Sequence, residues 1–162
     1  EFKGDGTFNN PLQVMVVNSA YGNPNADGRM DHMGIDLDCE VGTPVLACAD
    51  GKIEYAKDLS PNGCGGALKL RIESGKYTNG VYQYAKYALY CHLSATANFS
   101  ETGTPPALPK TGDKVTKGQI IAYSGGTKGA QYAGNSKGPH LHYEIIDQNG
   151  KKINPAAYLN NV

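Results

Sequence analysis

The sequence predicts an all-β domain of antiparallel strands, arranged as a sandwich or a partly open barrel. Short apolar runs are separated by glycine, and the 162 residues include 21 Gly, 9 Pro and 11 Tyr but no Trp. Such runs between glycine and proline turns are typical of strands rather than helices. Because a chain of this length can bury one core without help, we expect a single domain over residues 1–162.

The charge pattern excludes several classes of partner. Fifteen Lys and Arg balance fifteen Asp and Glu, and the pI is about 7.1, so we expect neither nucleic-acid nor membrane binding. No apolar run reaches the roughly 18 residues of a membrane span, and the N-terminus has no signal-peptide pattern. The polar opening at Glu1 fits a domain cut from a longer protein. Nothing indicates an oligomer, so we expect a monomer.

The first half of the chain reads as short strands joined by turns. Residues 12–17 predict a buried strand within a lead-in segment, residues 1–20, and turn-forming residues 18–28 predict a loop. Asp50-Gly51 stands between two apolar runs in residues 41–56, which predicts a hairpin. Alternation over residues 67–73 predicts the next strand of a meander.

The second half adds two long loops and an internal echo. Residues 81–93 are extended and rich in tyrosine, whereas residues 95–110 and 125–137 carry too much proline or glycine for regular structure. Residues 112–124 repeat the glycine-turn and strand pattern of residues 41–56, which suggests two similar β-units. The long loops, with the loop after Tyr21, are expected to form the walls of a groove.

The four cysteines do not form a metal motif or a disulfide scaffold. None belongs to a Cys-x-x-Cys pair, and their spacing is irregular. We expect mostly buried thiols, and the local option for a single bridge is Cys39 with Cys48. The sequence leaves the redox compartment open.

Three short patches hold all four histidines. In a strand, His140 and His142 project to one side while Leu141 points into the core. His32 and Asp36 share a face in extended backbone, and so do Tyr90 and His92. A catalytic zinc site commonly uses three His, Asp or Glu ligands and keeps a fourth position for water. Two histidines and a carboxylate satisfy that requirement and leave two histidines for proton transfer.

These residues resemble the lysostaphin-type metallopeptidases, peptidase family M23. The resemblance covers residues 21–159, and Asn154-Pro155 is similar to the closing motif of that family. Four segments carry it in the family's order: His32-Met33-Gly34-Ile35-Asp36 with Val41-Gly42-Thr43-Pro44-Val45, His92-Leu93-Ser94, Gly112 to Ile121, and Gly138-Pro139-His140-Leu141-His142-Tyr143-Glu144.

The resemblance implies a duplicated hybrid motif fold whose long loops form a groove around one Zn²⁺. It further implies cleavage of stem peptides or cross-bridges in bacterial peptidoglycan, outside the cell or in its envelope. His32, Asp36 and His142 match the zinc ligands, and His140 and His92 match the catalytic pair. Zinc lowers the pKa of a bound water to about 7. His140 would take the water's proton, and His92 would donate to the developing oxyanion.

Three further residues are weaker candidates. Tyr21 and Tyr90 would line the groove, although a buried or rim tyrosine is the alternative for each. Glu144 would orient a ligand imidazole, or else form an ordinary salt bridge. The cysteines and long loops depart from the family pattern and bear on substrate preference.

Two other functions are compatible with parts of the sequence. A non-catalytic relative that binds wall peptides or activates a hydrolase would lack one or more ligands, and here none is missing. A sugar phosphotransferase phosphocarrier resembles His32 to Asp36 and Gly112 to Ile121. Such a carrier needs two histidines but no His-x-His motif, so His140-Leu141-His142 argues against it.

Overall fold

The computed structural model describes residues 8–22, 32–59, 63–73 and 85–160. Their regular structure is strand, apart from one short 3-10 helix, Pro155–Tyr158, capped by the Asn154 side chain. All strand pairs are antiparallel, and the two sheets do not close into a barrel. The all-β prediction is therefore confirmed. In chain order the strands are β1 Val17–Ser19, β2 Ile35–Asp38, β3 Pro44–Leu46, β4 Gly51–Asp58, β5 Gly66–Ile72, β6 Ala85–Cys91, β7 Leu93–Ala95, β8 Lys114–Val115, β9 Ile120–Ser124, β10 His140–Asp147 and β11 Lys152–Ile153.

The larger sheet has eight strands and the smaller has three. Their orders are β1-β2-β10-β6-β5-β4-β8, with β11 beside β10, and β3-β9-β7. The main core includes Leu37, Leu68 and Tyr143 of the large sheet together with Val45 and Ile121 of the small one, all fully buried. The meander predicted after residue 51 is confirmed, because β4, β5 and β6 are successive neighbours.

Strand β10 lies inside the large sheet and separates two surfaces by simple alternation. Leu141, Tyr143 and Ile145 are completely buried in the core. The side chains of His140 and His142 therefore project to the opposite face, which we call the outer face. This confirms the alternation predicted for this stretch.

The internal echo is visible in the pairing of the strands. β3 pairs with β9, and β8 pairs with β4. The first strand of each unit thus pairs with the second strand of the other. The hairpin predicted at Asp50-Gly51 is wrong, because β3 and β4 belong to different sheets and the turn is a corner between them.

The N-terminal strand is shorter than predicted. Leu12 is buried, but Val14 and Val16 are 71% and 50% exposed, and pairing begins only at β1. Residues 12–17 therefore do not form a buried strand, because a run of apolar residues alone does not supply a neighbouring strand. Residues 96–113 and 126–139 contain no regular strand, which confirms both long loops. Much of the predicted loop at 18–28, and part of the 81–93 segment, lies outside the described residues.

One disulfide forms, and it does not join the pair that the sequence offered as the local option. Cys64 is bonded to Cys91, whereas Cys39 and Cys48 are free thiols. β5 and β6 pair antiparallel, with Leu68 opposite Tyr90, and this brings the turn before β5 beside the end of β6. Short sequence separation was a poor guide, because register decides which cysteines meet.

Candidate metal centre

His32, Asp36 and His142 converge on the outer face beside β2 and β10. His142 Nδ1 lies 2.8 Å from Asp36 Oδ1, and His32 Nε2 lies 3.4 Å from Asp36 Oδ2. One ligand atom from each of the three residues lies within 4.8 Å of the other two. The side chains are 15–23% exposed, so the cluster is open to solvent on one side.

Strand pairing brings together two of the three side chains, Asp36 and His142. Asp36 on β2 is directly opposite His142 on β10, although 106 residues separate them. His32 precedes β2, so it reaches the cluster from a loop and not from the strand face that the sequence predicted. Its Nδ1 donates to the carbonyl oxygen of Ala20 at 2.9 Å. Because a carbonyl only accepts, Nε2 keeps its lone pair for the cluster.

Gly34 explains the glycine in His32-Met33-Gly34-Ile35-Asp36. A Cβ atom at this position would lie 2.6 Å from the carbonyl oxygen of Tyr143, 2.8 Å from His142 Cε1 and 2.9 Å from Glu144 Cγ. The backbone must pass this close for His32 and Asp36 to face β10. Only glycine fits here.

Glu144 holds the far side of the His142 ring. Its Oε2 lies 2.8 Å from His142 Nε2, and its Oε1 lies 3.2 Å from the ammonium of Lys152. The two predicted roles for Glu144, orienting carboxylate and salt-bridge partner, thus occur together. Burial opposes a charge on His142, but hydrogen bonds to Asp36 and Glu144 outweigh it and raise its pKa to about 9.

His140 sits next to the cluster with its Nδ1 turned away. Nδ1 donates to the carbonyl oxygen of Gly138 at 2.8 Å, with Ser136 Oγ at 3.2 Å, and Nε2 lies 3.6 Å from Asp36 Oδ1. The Ser136 hydroxyl also lies 2.7 Å from the carbonyl oxygen of Gly126. The glycine-rich loop therefore fixes both the ring angle and the tautomer of His140.

His92 reaches the site because the backbone reverses there. Its φ is 60°, in the left-handed region that non-glycine residues rarely adopt. Its Nδ1 donates to the carbonyl oxygen of Ala133 at 2.7 Å, and its ring centroid lies 4.8 Å from that of His140. Burial, with the nearby rings of His140 and His142, lowers the pKa of His92 to about 4. Backbone strain of this kind is often found at functional sites.

The same reversal makes the prediction for Tyr90 wrong. Tyr90 is completely buried, accepts a hydrogen bond from the Cys48 backbone N–H at 3.1 Å and packs against Tyr143. It lies on the core side, whereas Leu89 and Cys91 lie on the outer side. The alternation stops at His92, so the even offset from Tyr90 to His92 does not put them on one face.

Tyr21 remains beside the site. Its hydroxyl donates to the carbonyl oxygen of Lys152 at 3.2 Å, and the N–H of Gly22 donates to the carbonyl oxygen of His32 at 2.8 Å. Tyr21 therefore braces the segment that carries His32. Its predicted part in lining a groove stays a prediction.

Two loop segments, residues 63–66 and 132–135, form a clasp that supports His92 through hydrogen bonds. The N–H of His92 donates to the carbonyl oxygen of Cys64, and the turn at residues 63–66 exchanges backbone hydrogen bonds with Tyr132 and Asn135. Gly65 and Gly134 touch back to back: a Cβ atom on Gly65 would lie 2.4 Å from the Gly134 nitrogen. No sequence pattern predicts these carbonyl and glycine contacts, because they depend on segments that approach each other only in the folded chain.

The donor set fits a divalent metal ion. It offers two imidazole nitrogens and one carboxylate, and carboxylate and carbonyl groups hold the remaining nitrogens of the two rings. Metal-binding histidines usually have such partners, which fix the tautomer. Burial raises the pKa of Asp36, but the neighbouring His142, His140 and His32 lower it overall, so the carboxylate is ready to bind a cation.

The profile of peptidase family M23 matches residues 30–155. The chain belongs to this family. The match includes the three converging side chains and both His92 and His140. The family recognised from the motifs is therefore confirmed.

Relatives of this M23 domain are peptidases. The DD-carboxypeptidase/endopeptidase Mpg of Neisseria meningitidis serogroup B is 35% identical over 156 residues, which are 94% of this chain and 29% of that protein. A zinc-containing peptidase from Vibrio cholerae matches with a TM-score of 0.67 and 26% identity, over 96% of this chain and 40% of that one. The lysostaphin catalytic domain of Staphylococcus simulans matches with a TM-score of 0.62 and 28% identity, over 89% and 91%.

The M23 domain spans under a third of the length of the curated relatives that it matches. Within the described residues, there is no helix with the length and apolar character that crossing a membrane requires.

Proposed function

We propose that this M23 domain is a zinc-dependent endopeptidase that hydrolyses peptide bonds in bacterial peptidoglycan. The observation that carries the proposal is the convergence of His32, Asp36 and His142 beside His92 and His140. The name of a further relative, the peptidoglycan DD-endopeptidase ShyC of Vibrio cholerae, supports wall peptides as the substrate class. A wall substrate in turn supports action outside the cell or in its envelope.

In this proposal His32 Nε2, Asp36 and His142 Nδ1 hold one zinc ion. The Nε2 proton of His142 then remains on the hydrogen bond to Glu144. The similarity to a zinc-containing peptidase from Vibrio cholerae supports zinc as the metal ion. When bound, zinc supplies a Lewis acid and lowers the pKa of a water ligand to about 7.

His140 and His92 serve in proton transfer and hydrogen bonding to the substrate. The Nδ1 proton of each ring is committed to a backbone carbonyl, so each neutral ring presents an Nε2 lone pair. His140 Nε2 accepts a proton from the attacking water and returns it to the leaving amine. His92 binds substrate or water through Nε2, and it donates to an oxyanion only while that nitrogen carries a proton.

The pair works with one proton at a time. Their ring centroids are 4.8 Å apart, and two charged rings at that distance repel each other in a half-buried site. Burial and the neighbouring rings lower the pKa of His92 to about 4, so near neutral pH the His92 ring is uncharged.

The deciding experiment combines metal content with activity. We expect about one zinc per purified chain, release of peptide ends from bacterial wall material, and loss of that release on chelation. His140→Ala should keep zinc and lose turnover. Zinc-loaded protein that releases no peptide ends from any wall type would refute the proposal.

A further inference from the structure

The outer face continues from the metal-site cluster across three more strands. Glu144 on β10 is opposite Leu89 on β6, Leu89 is opposite Lys69 on β5, and Lys69 is opposite Tyr55 on β4. A bulge between Ile53 and Tyr55 turns the Tyr55 ring to this side, since Ile53 points into the core. The row therefore joins the site to β4 along one surface.

Two tyrosines and three lysines are packed together along this surface, on β6, β5 and β4. The Lys57 ammonium lies 4.7 Å from the centre of the Tyr55 ring, and the Lys69 ammonium lies 4.3 Å from that of Tyr87 and 5.9 Å from that of Tyr55. Lys86 lies 5.5 Å from the Tyr87 ring centre. All four distances are within the usual cation–π limit. We call these five residues the lysine–tyrosine face.

The charge on this face is not balanced locally. Among the residues that the structure describes, none of its three lysines forms an ion pair with a carboxylate. Arg71, opposite Tyr87, adds a further cation, whereas Glu144 and the exposed Glu54 are the acids close enough to act on the Tyr55 hydroxyl. Like charges held this close repel one another. An anion between them would relieve that repulsion.

Covering apolar side chains explains only part of the arrangement. Tyr55 and Tyr87 pack on a small outer cluster that includes Leu89 and Ile146. The lysine stems help to cover it, which is common for long charged side chains. Shielding needs the stems alone, whereas here the ammonium groups gather over two neighbouring rings.

We propose that the lysine–tyrosine face binds a carboxylate group of the same wall peptide that is cut at the metal centre. The inference rests on the proposed function. Two strand spacings separate β10 from Lys69 on β5 and three separate it from Lys57 on β4, or about 10 to 14 Å, which an extended peptide crosses in about three to four residues. The bound carboxylate therefore lies about three to four residues from the cut bond, and a carboxamide there binds less well.

The probe is a pair of cross-linked wall peptides, one with free carboxylates and one with these carboxylates converted to carboxamides. The zinc-loaded protein should show a KM about 3- to 10-fold lower for the carboxylate form, with equal kcat. The double variant Lys57→Gln/Lys69→Gln should raise KM for the carboxylate form to that of the carboxamide. The control Lys110→Gln/Lys151→Gln removes the same charge from two exposed positions that are not among the five residues of this face, and it should keep the preference.

Equal KM values for the two peptides, or a preference that survives in Lys57→Gln/Lys69→Gln, would overturn the inference. If the zinc-loaded protein cuts neither peptide, the proposed function fails and calorimetric titration with the same peptides decides the inference alone. Tighter binding of the carboxylate form, lost in the double variant, would support it. Equal binding would overturn it.

Discussion

Removing the disulfide should destabilise the fold and loosen the support that positions the His92 ring. The bond joins Cys64 to Cys91 across 27 positions of sequence. Closing a loop of that length restricts the unfolded chain by about 3.5 kcal/mol at 25 °C. For a domain of this size, the loss lowers Tm by roughly 10 °C. We therefore expect Cys64→Ala/Cys91→Ala to unfold at clearly lower urea concentration than wild type.

The same variant should lose turnover before it loses metal. The turn at residues 63–66 binds residues 132–135, and the carbonyl oxygen of Ala133 in that segment fixes His92 Nδ1. His32, Asp36 and His142 lie outside this clasp, so zinc content should stay near one per chain while kcat falls. Urea denaturation, elemental analysis and wall-peptide cleavage measure the three quantities, with Cys39→Ala as the free-thiol control. A stability loss below about 1 kcal/mol, or wild-type kcat, would refute the reasoning.

Four further outcomes are expected. Gly34→Ala should lower zinc affinity and destabilise the fold by a few kcal/mol, because the Cβ meets the backbone of β10; wild-type affinity in a chelator competition would contradict this. Glu144→Gln should weaken zinc binding 10- to 100-fold, because the amide replaces a carboxylate on His142 Nε2, and the same competition measures it. His142→Ala should lose zinc and activity together, whereas His140→Ala keeps zinc, and elemental analysis separates them. In metal-free protein, the contribution of His142 to the free energy of unfolding is complete below pH 6.5 and is lost as the pH rises towards its pKa of about 9, whereas the contribution of His92 is complete above pH 6.5 and is lost as the pH falls towards its pKa of about 4. Urea denaturation should therefore show maximum stability near pH 6.5, with losses up to about 3 kcal/mol on each side. A flat profile would contradict this.

The sequence predicted those site residues that depend on local alternation. His140, His142 and Glu144 follow the period of two along β10, so spacing alone placed them on one face, whereas the roles of the two histidines came from the family resemblance. The motif segments supplied His32, Asp36 and His92. The duplicated units were visible as a weak echo, and the strands β3, β4, β8 and β9 confirm it.

The predictions failed where tertiary contacts decide. Tyr90 was assigned to the wrong side because a positive φ at His92 cannot be read from neighbouring residues. The Cys64–Cys91 bridge depends on the register of β5 with β6, which short separation does not reveal. The carbonyl oxygen of Ala133 and the role of Lys152 have no sequence signature, since any residue offers a carbonyl and lysine is common.

The 106 residues between Asp36 and His142 have a consequence for folding order. Bringing two such distant strands together costs loop-closure entropy before His142 can join His32 and Asp36. A metal ion has no complete site until β2 pairs with β10, so we expect it to bind late in folding. We therefore expect bound metal to stabilise the paired β2 and β10 and to slow unfolding rather than to speed folding.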